Sequence, residues 1–235
     1  MKRHVGQGEG VLVFDPAGFP KSGRESVGVA RQWCGRLGQV ETCPVAISLG
    51  SVSRKGHTLS DARRYLSKAW TKETRRVDKA GVPTACRAYR TRHQLVLEML
   101  AAHGAALPHR WIAGDDAMGR PSWFRRRLAA LNARYLLAVP SNTALRELET
   151  ALPESRGKGR RPTRPWHSVQ AWSQAVDASA WQRIDVRDRA KGPLVVEIVK
   201  RRVVSRDHRR QQGEEELLTV IRSRDRDADK VVQVD

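Results

Sequence analysis

Three short apolar runs open the chain, and each has the length of a strand. They span Gly10–Phe14, Ser26–Ala30 and Pro44–Leu49, with Gly-rich turns between them. Apolar runs of this length, bounded by turn residues, predict β-strands. We therefore expect the chain to begin as a three-stranded meander.

Helices and strands then alternate. From Arg92 to His103 the apolar residues recur at helical spacing, which predicts an amphipathic helix that ends at Gly104. Three further elements are predicted: the strand Trp111–Gly114, the helix Ser122–Leu131 with Ser122 as its cap, and the strand Tyr135–Val139. The predicted order is β-β-β-α-β-α-β, so we expect an α/β fold with a mixed sheet flanked by helices.

The composition changes at Pro153–Pro165, where Gly, Pro and like charges predict a linker or exposed loop. We therefore expect a core over residues 1–150, a basic linker over 151–166 and a second region over 167–235. In the second region, β-branched segments predict a mainly β structure. These segments are Gln182–Val186, Leu194–Val199, Leu217–Ile221 and Val231–Val234. The acidic triplet Glu214–Glu216 is expected at a turn.

The charge balance is strongly basic. The chain has 44 Lys and Arg against 25 Asp and Glu, a net charge of +19 over 235 residues, and a pI near 11.0. Hydrophobic residues make up 40% of the chain, which is enough for an ordinary core. The excess charge therefore belongs to the surface of a globular protein, and such a surface favours a polyanionic partner.

Several classes of protein are excluded by the same sequence. No stretch approaches the roughly 20 consecutive apolar residues of a membrane helix, and the basic amino terminus has no apolar segment behind it. We expect a cytoplasmic protein. Cys34, Cys43 and Cys86 are odd in number and form no C-x-x-C pair, so we expect reduced thiols rather than a disulfide framework or a zinc site.

Carboxylates follow two of the predicted strands. Asp15 comes directly after the first strand, and Asp115 and Asp116 follow Trp111–Gly114. Ligands commonly bind at strand ends in open sheets, and hard oxygen donors suit Mg²⁺. Two such ions promote phosphodiester cleavage by activating the attacking oxygen and stabilising the leaving one. The alternative at Asp15 is an Asp-Pro turn, and for Asp116 we favour an exposed turn or a helix cap.

Five strings that occur in order along the chain are more specific than these spacings. They are DPAGFPKSG (15–23), SVGVARQWCGRLG (26–38), RTRHQL (90–95), GDDAMGR with SWFR (114–125) and YLLAVPSN (135–142). With these strings, the chain resembles the catalytic region of bacterial insertion-sequence transposases of the DDE superfamily from about residue 10 to its end. The resemblance implies an RNase H-like core and, as in several branches of the family, a mainly β insertion before the catalytic Glu.

The resemblance also implies roles for individual residues. Asp15 matches the first catalytic Asp, and Asp115 matches the second because it stands four positions before Gly119. Met118 replaces the aromatic residue usual before that Gly, so Asp116 remains the alternative. Both aspartates would bind Mg²⁺ or Mn²⁺. The implied partner is double-stranded DNA, as transposon ends and target, and a homodimer is compatible with this reading.

The family's third carboxylate is a Glu on a helix after the β insertion, and no such helix is predicted. Glu197 and Glu214–Glu216 belong to predicted strands, so we expect neither to replace it. The helical DNA-binding region usual before the first catalytic strand is also not predicted. We therefore expect a truncated transposase with little or no activity. The alternatives are a non-catalytic DNA-binding protein that interferes with a full-length transposase, and a nuclease with an unusual third ligand.

Basic clusters indicate where DNA would be contacted. They lie at Arg125–Arg127, Arg156–Arg164, Lys200–Arg202 and Arg206–Arg210. From these clusters and the first turn we expect phosphate contacts by Lys21, Arg125, Arg126, Arg160, Arg161, Lys200 and Arg201. Aromatic side chains that flank apolar or helical segments are instead expected in the core, namely Trp33, Trp70, Trp111 and Trp123.

Overall fold

The computed structural model describes residues 8–154, 157, 162–187, 194–206 and 212–223. The chain forms two compact units, unit 1 (residues 1–114) and unit 2 (residues 115–235). In the described part of the chain, no helix has the length and apolar character needed to cross a membrane.

Unit 1 is built on a mixed sheet. The strands of unit 1 are β1 (Val11–Gly18), β2 (Ala30–Cys34), β3 (Gln39–Cys43), β4 (Val45–Ser53), β5 (Gly56–Tyr65) and β6 (Trp111–Gly114). The central strand β1 runs antiparallel to β4 on one side and parallel to β6 on the other, and β5 pairs with the far edge of β4. β2 and β3 form a separate hairpin. The sheet with its flanking helices confirms the predicted RNase H-like α/β fold.

Alternation along the strands places the core of unit 1 on one face of this sheet. Leu12 and Phe14 of β1 share that face with Ile47 and Leu49 of β4, and all four side chains are buried. A strand exposes successive side chains on opposite faces, so every second residue can be apolar and buried. The neighbouring positions on β4 are only partly buried.

Helices complete unit 1. They are α1 (Lys68–Lys72), α2 (Thr74–Lys79) and α3 (Arg92–His103), with 3₁₀ turns at Thr84–Cys86 and Gly104–Ala106. α3 packs against β4 and β5, and it starts with a capping box. The Thr91 hydroxyl accepts the Gln94 N–H at 3.1 Å, and the Gln94 side-chain oxygen accepts the Thr91 N–H at 2.8 Å. The predicted helix is confirmed, with Gly104 as its C-cap.

The second predicted strand is wrong in position. Residues 26–29 form a turn in which Gly28 has a φ of 77°, and β2 begins only at Ala30. The third strand of the main sheet is β5, which the sequence pattern missed because none of its residues is fully buried. Leu59, at its middle, is 67% exposed, so no alternating apolar stripe marks this strand.

Unit 2 begins with short helices and continues with an antiparallel sheet. Its elements are α4 (Asp116–Gly119), α5 (Ser122–Ala130), β7 (Tyr135–Leu137), β8 (Ala144–Glu147), β9 (His167–Ser168), α6 (Val169–Ala175), a 3₁₀ turn at Ala178–Ala180, β10 (Gln182–Arg187), β11 (Leu194–Arg206) and β12 (Gln212–Ser223). The long strand β11 organises the sheet. β12 pairs along one of its edges, while β10 and β8 pair with successive parts of the other.

One face of the β11 sheet forms the core of unit 2. Buried Val199 and Val203 of β11 pack there with Leu145 of β8 and with Val169 and Trp172 of α6. α6 is missing from the sequence prediction, because a helix of two turns shows too few residues to establish a period. Its start is nevertheless marked by Ser168, whose hydroxyl accepts the Ala171 N–H at 3.0 Å.

Several other sequence-based predictions concern unit 2, and only some of them agree with the structure. The strands expected from Gln182, Leu194 and Leu217 onward correspond to β10, β11 and β12. The triplet Glu214–Glu216 lies inside β12, not at a turn. Ser122 is the first residue of α5 rather than its cap, which is Pro121. Val231–Val234 lies outside the described residues, as do residues 155–156 and 158–161 of the predicted linker. The domain division at 150 and 166 stays a prediction, although β8 pairs across it with β11.

The four tryptophans expected in the core divide into one buried and three partly exposed residues. Trp33, Trp111 and Trp123 are 54%, 38% and 37% exposed, which corrects that expectation for them. Trp70 is fully buried among Leu66, Val77 and Val82. Its indole N–H donates to the Val29 carbonyl at 2.7 Å, and the Arg76 guanidinium lies over its ring at 4.0 Å from the centroid.

Replacing Trp70 by Ala should destabilise unit 1 strongly. The change removes a fully buried indole and leaves the Val29 carbonyl without its donor, so we expect a loss of about 3–5 kcal/mol in the free energy of unfolding. Urea denaturation followed by circular dichroism measures it. Trp33→Ala is the matched control and should stay within about 0.5 kcal/mol of the parent protein. Equal losses in both variants would contradict the assignment of Trp70 as the anchor of this cluster.

Candidate active site

Asp15 lies within β1 and is exposed. The strand continues through Pro16 to Gly18. Asp15 therefore does not end the strand, which corrects the expectation from the sequence. The pairing of β1 with β6 stops at Phe14, which lies opposite Gly114. Pro16 therefore occupies a part of β1 that is open on the β6 side, where a residue without an N–H is tolerated.

The backbone around Asp15 is held by β4. Asp15 pairs with Ser48 in the antiparallel register, and the Ser48 hydroxyl donates to the Asp15 carbonyl at 3.0 Å. This bond uses the main chain of Asp15 and not its carboxylate. The backbone of Asp15 is thus fixed by its pairing with β4. The exposed carboxylate can move only by rotation about its own side-chain bonds.

Asp115 caps a helix. It is exposed, and its Oδ1 accepts the Met118 N–H at 3.1 Å at the start of α4. Of the two alternatives expected for Asp116, an exposed turn or a helix cap, the cap role belongs to Asp115, whereas Asp116 is exposed. Asp116 lies in the first turn and pairs with Arg120 at 3.4 Å on the surface. An N-cap carboxylate has a preferred orientation, because one oxygen is bound to the helix backbone.

The strand register relates the two predicted catalytic positions through their neighbours. Phe14 of β1 lies opposite Gly114 of the parallel strand β6. Asp15 is the residue after Phe14, and Asp115 is the residue after Gly114. Within the described residues, no three His, Cys, Asp or Glu side chains converge as a metal-binding group.

Gly119, four residues after Asp115, has a steric reason to be Gly. It is buried, and a Cβ at this position would lie 2.0 Å from the Ala138 carbonyl oxygen and 3.1 Å from the Leu137 Cβ. Side chains do not approach backbone atoms at such distances. Any residue larger than Gly would push α4 away from the segment that follows β7.

Arg125 is buried in the interior of unit 2, with 4% of the residue exposed. Its guanidinium binds the Glu216 carboxylate with two bonds, 2.7 Å from Nε and 3.0 Å from Nη2. It also donates to the Gly119 carbonyl and the Ser205 hydroxyl. These bonds assign Arg125 to the packing of unit 2, so we leave it out of the DNA-binding surface proposed below.

Glu216 is satisfied by three side chains. Besides Arg125, the Ser205 hydroxyl donates to it at 3.1 Å and the Tyr135 hydroxyl at 2.9 Å. Burial, and next the Glu216 carboxylate, raise the pKa of the Tyr135 hydroxyl above its ordinary value. Sequence reasoning missed this cluster, because Arg125 and Glu216 are 91 positions apart and no local spacing links them.

Glu197, which was also considered as a substitute ligand, is engaged as well. Glu197 lies opposite Arg222 in the β11–β12 ladder and pairs with it at 2.7 Å. Its side chain is 18% exposed, as is that of Glu216. Both carboxylates are therefore bound to arginines, Glu197 to Arg222 of β12 and Glu216 to Arg125 of α5.

The remaining basic residues predicted to contact DNA differ in their availability. Lys21, Arg126 and Lys200 are exposed. Arg201 is 28% exposed and is bound to Glu147 at 3.2 Å and Glu149 at 3.8 Å. Arg160 and Arg161 lie outside the described residues. The DNA-binding roles of all these residues stay predictions. Exposed side chains are the most accessible to a phosphate.

Gly119→Ala should destabilise the protein by about 1–3 kcal/mol or more, because the added methyl group forces the Ala138 backbone to move. Gly35→Ala is the control, since nothing lies within 4 Å of a Cβ at that position. We expect the control to stay within about 0.5 kcal/mol of the parent protein in urea denaturation. A neutral Gly119→Ala variant would show that α4 is not packed as described.

Glu216→Ala should be far more damaging than the same change at its neighbour Glu215. Removing Glu216 leaves the Arg125 charge buried without a partner, at a cost of about 3–5 kcal/mol. Glu215 is 52% exposed and pairs with exposed Arg202, so Glu215→Ala should cost less than about 1 kcal/mol. The two free energies of unfolding decide the matter, and a difference below about 1 kcal/mol would contradict the buried-pair assignment.

Comparison with known proteins identifies the family of the chain. The model of the family described as DDE superfamily endonuclease matches residues 1–193. No curated protein and no solved structure matches the chain. The matched segment includes Asp15, Asp115 and the whole sheet of unit 1. Enzymes of this superfamily act on DNA and typically use divalent metals. The chain belongs to the DDE superfamily endonucleases.

Proposed function

We propose that this chain is the catalytic region of an insertion-sequence transposase, which cuts and joins DNA through a metal centre that includes Asp15 and Asp115. The main support for this proposal is the parallel register of β1 and β6. Phe14 lies opposite Gly114, and an Asp follows each of them. Asp15 thus follows the last residue of β1 that pairs with β6, and Asp115 follows the last residue of β6. Ligands of sheets with parallel strands commonly bind where such pairing ends.

The donor chemistry of these two residues fits Mg²⁺ or Mn²⁺. Mg²⁺ is commonly held by one or two protein carboxylates and takes waters and substrate phosphate oxygens as its other ligands. Both aspartates are exposed, so a DNA phosphate can reach them. When bound, the metal would supply Lewis-acid stabilisation of the phosphoryl group. The chain's contribution is to hold Asp15 on a paired strand and Asp115 at a helix cap.

Full activity in this mechanism requires a third carboxylate, and we propose that neither Glu197 nor Glu216 supplies it. Glu197 is bound to Arg222 of β12, and Glu216 is bound to Arg125 of α5. Releasing Glu216 would leave the charge of Arg125 buried and unpaired, which is costly. We therefore expect the protein to bind DNA and metal but to cleave DNA only weakly.

A non-catalytic DNA-binding protein is the second candidate. The net charge of +19 favours it equally, since affinity for DNA comes mainly from phosphate contacts. The two candidates differ in one respect, which is whether Asp15 and Asp115 bind a metal ion that acts on DNA. An experiment on those two side chains separates them.

Metal binding is the direct test, with Mn²⁺ as the probe and its EPR signal as the measurement. Asp15→Asn and Asp115→Asn should each weaken Mn²⁺ binding by about tenfold or more, because outer-shell changes alone cost 10–100-fold. Asp116→Asn is the matched control. Its carboxylate is engaged by Arg120, so Mn²⁺ affinity should not change.

Nicking of a supercoiled plasmid that carries the DNA flanking the gene completes the test. We expect slow Mn²⁺-dependent nicking that Asp15→Asn and Asp115→Asn abolish and Asp116→Asn does not. Intact DNA binding without nicking, together with unchanged Mn²⁺ affinity in the Asn variants, would exclude the nuclease and leave the binding protein.

A further inference from the structure

The strand β11 divides its side chains between two faces of the unit 2 sheet. Val199, Val203 and Ser205 are buried on the face that carries the core. Lys200, Arg202 and Arg206 alternate with them and belong to the opposite face. Arg146 of β8 joins that face because it lies opposite Val204. We call these four basic residues, Arg146, Lys200, Arg202 and Arg206, the outer face.

Two arginines of the outer face stack on the same tryptophan. The guanidinium of Arg146 lies 4.4 Å from the centre of the Trp166 ring, and that of Arg206 lies 3.9 Å from it. The Nε atoms of both arginines are buried without a hydrogen-bond partner among the described residues. Stacking thus fixes the planes of both guanidinium groups and leaves their terminal nitrogens as the available donors.

The charges of Arg146 and Arg206 are not neutralised by the part of the chain that is described. Arg202, on the same face, pairs with Glu215 at 3.1 Å and with Glu149 at 3.7 Å. For Arg146 and Arg206 the described contacts are the stacking on Trp166. Two half-buried cations beside one ring repel each other, so an anion placed between or across them is favoured.

Another arginine–tryptophan pair provides an internal comparison. Arg222 stacks on Trp181 at 3.9 Å, the same distance as Arg206 on Trp166. Arg222, however, is bound to Glu197 at 2.7 Å. Within the described residues, the two stacked arginines thus differ in one respect: a carboxylate binds the guanidinium of Arg222 but not that of Arg206.

We propose that the outer face binds the phosphodiester backbone of DNA, with Arg146 and Arg206 each donating to a phosphate. A stacked guanidinium presents its N–H groups in a fixed plane that matches phosphate oxygens. The stretch Lys200–Arg206 extends over about 20 Å of strand, comparable with about six phosphates of one DNA strand. The proposal rests on the DNA-acting function above, but it involves neither Asp15 nor Asp115.

The salt dependence of DNA binding tests the outer face. A labelled DNA duplex is titrated by fluorescence anisotropy in EDTA at several salt concentrations, with the full chain and with the double variant Arg146→Gln/Arg206→Gln. Each lost phosphate contact lowers the slope of log K against log salt by about 0.9. We expect the double variant to lower it by about 1.8 and to bind roughly tenfold or more weakly at 0.1 M salt.

Arg222→Gln is the matched control, since it removes one stacked arginine whose charge is already paired, and its slope should equal that of the parent protein. Arg146→Lys/Arg206→Lys keeps both charges and should keep most of the slope. Thermal unfolding followed by circular dichroism verifies that each variant folds. Should the double Gln variant not fold, Lys200→Gln and Arg206→Gln are measured singly, each with an expected loss of about 0.9 in slope.

The outcomes separate this proposal from the nuclease. An unchanged slope in the folded Gln variants would overturn the outer face as a DNA site and leave the metal centre standing. Failure of the parent protein to bind DNA would overturn both proposals. Asp15→Asn and Asp115→Asn should bind the duplex as tightly as the parent protein in EDTA, and weaker binding by them would overturn the separation of the two surfaces.

Discussion

The parallel pairing of β1 with β6 is the constraint on which the candidate active site depends. A parallel pair requires a long crossover, and here β4, β5 and α3 lie between the two strands in sequence. Leu12 and Ile112 pair across it, and both are buried. A slip of one residue would turn the buried side chains to the opposite face. Core packing therefore determines where Asp15 stands, and the aspartate itself contributes little to its own placement.

In unit 2 the buried Arg125 has a comparable role. It ties α5 to Glu216 of β12, to Ser205 of β11 and to the carbonyl of Gly119 at the end of α4. α4 begins at the cap residue Asp115. The ion pair that joins the sheet to α5 thus also secures the short helix that carries the second proposed ligand. A buried pair of this kind is a poor source of stability but holds its surroundings in one arrangement.

The fold also decides which of the many basic side chains are paired with carboxylates and which are exposed. Lys200 and Arg201 are neighbours in sequence, yet they lie on opposite faces of β11, and Arg201 is bound to Glu147 while Lys200 is exposed. Arg206 and Arg222 both stack on tryptophans, but a carboxylate reaches only the second within the described part of the chain. Clusters in the sequence therefore overestimate the available charge, since pairing across strands decides which cations can meet a phosphate.

Local patterns in the sequence determined β1 and β6, which contain short apolar runs, and α3, whose apolar residues recur at helical spacing. The family strings located Asp15 and Asp115. The local patterns missed β5, whose middle is exposed, and the short α6. They offered an exposed turn or a helix cap for Asp116, and the cap proved to be Asp115. Only the tertiary structure decided that Asp115 caps α4, that Arg125 is buried against Glu216, and that Arg146 and Arg206 share Trp166. The reason is physical: periodicity reports the amphipathic character of one segment, whereas partners distant in sequence are chosen by how the segments pack.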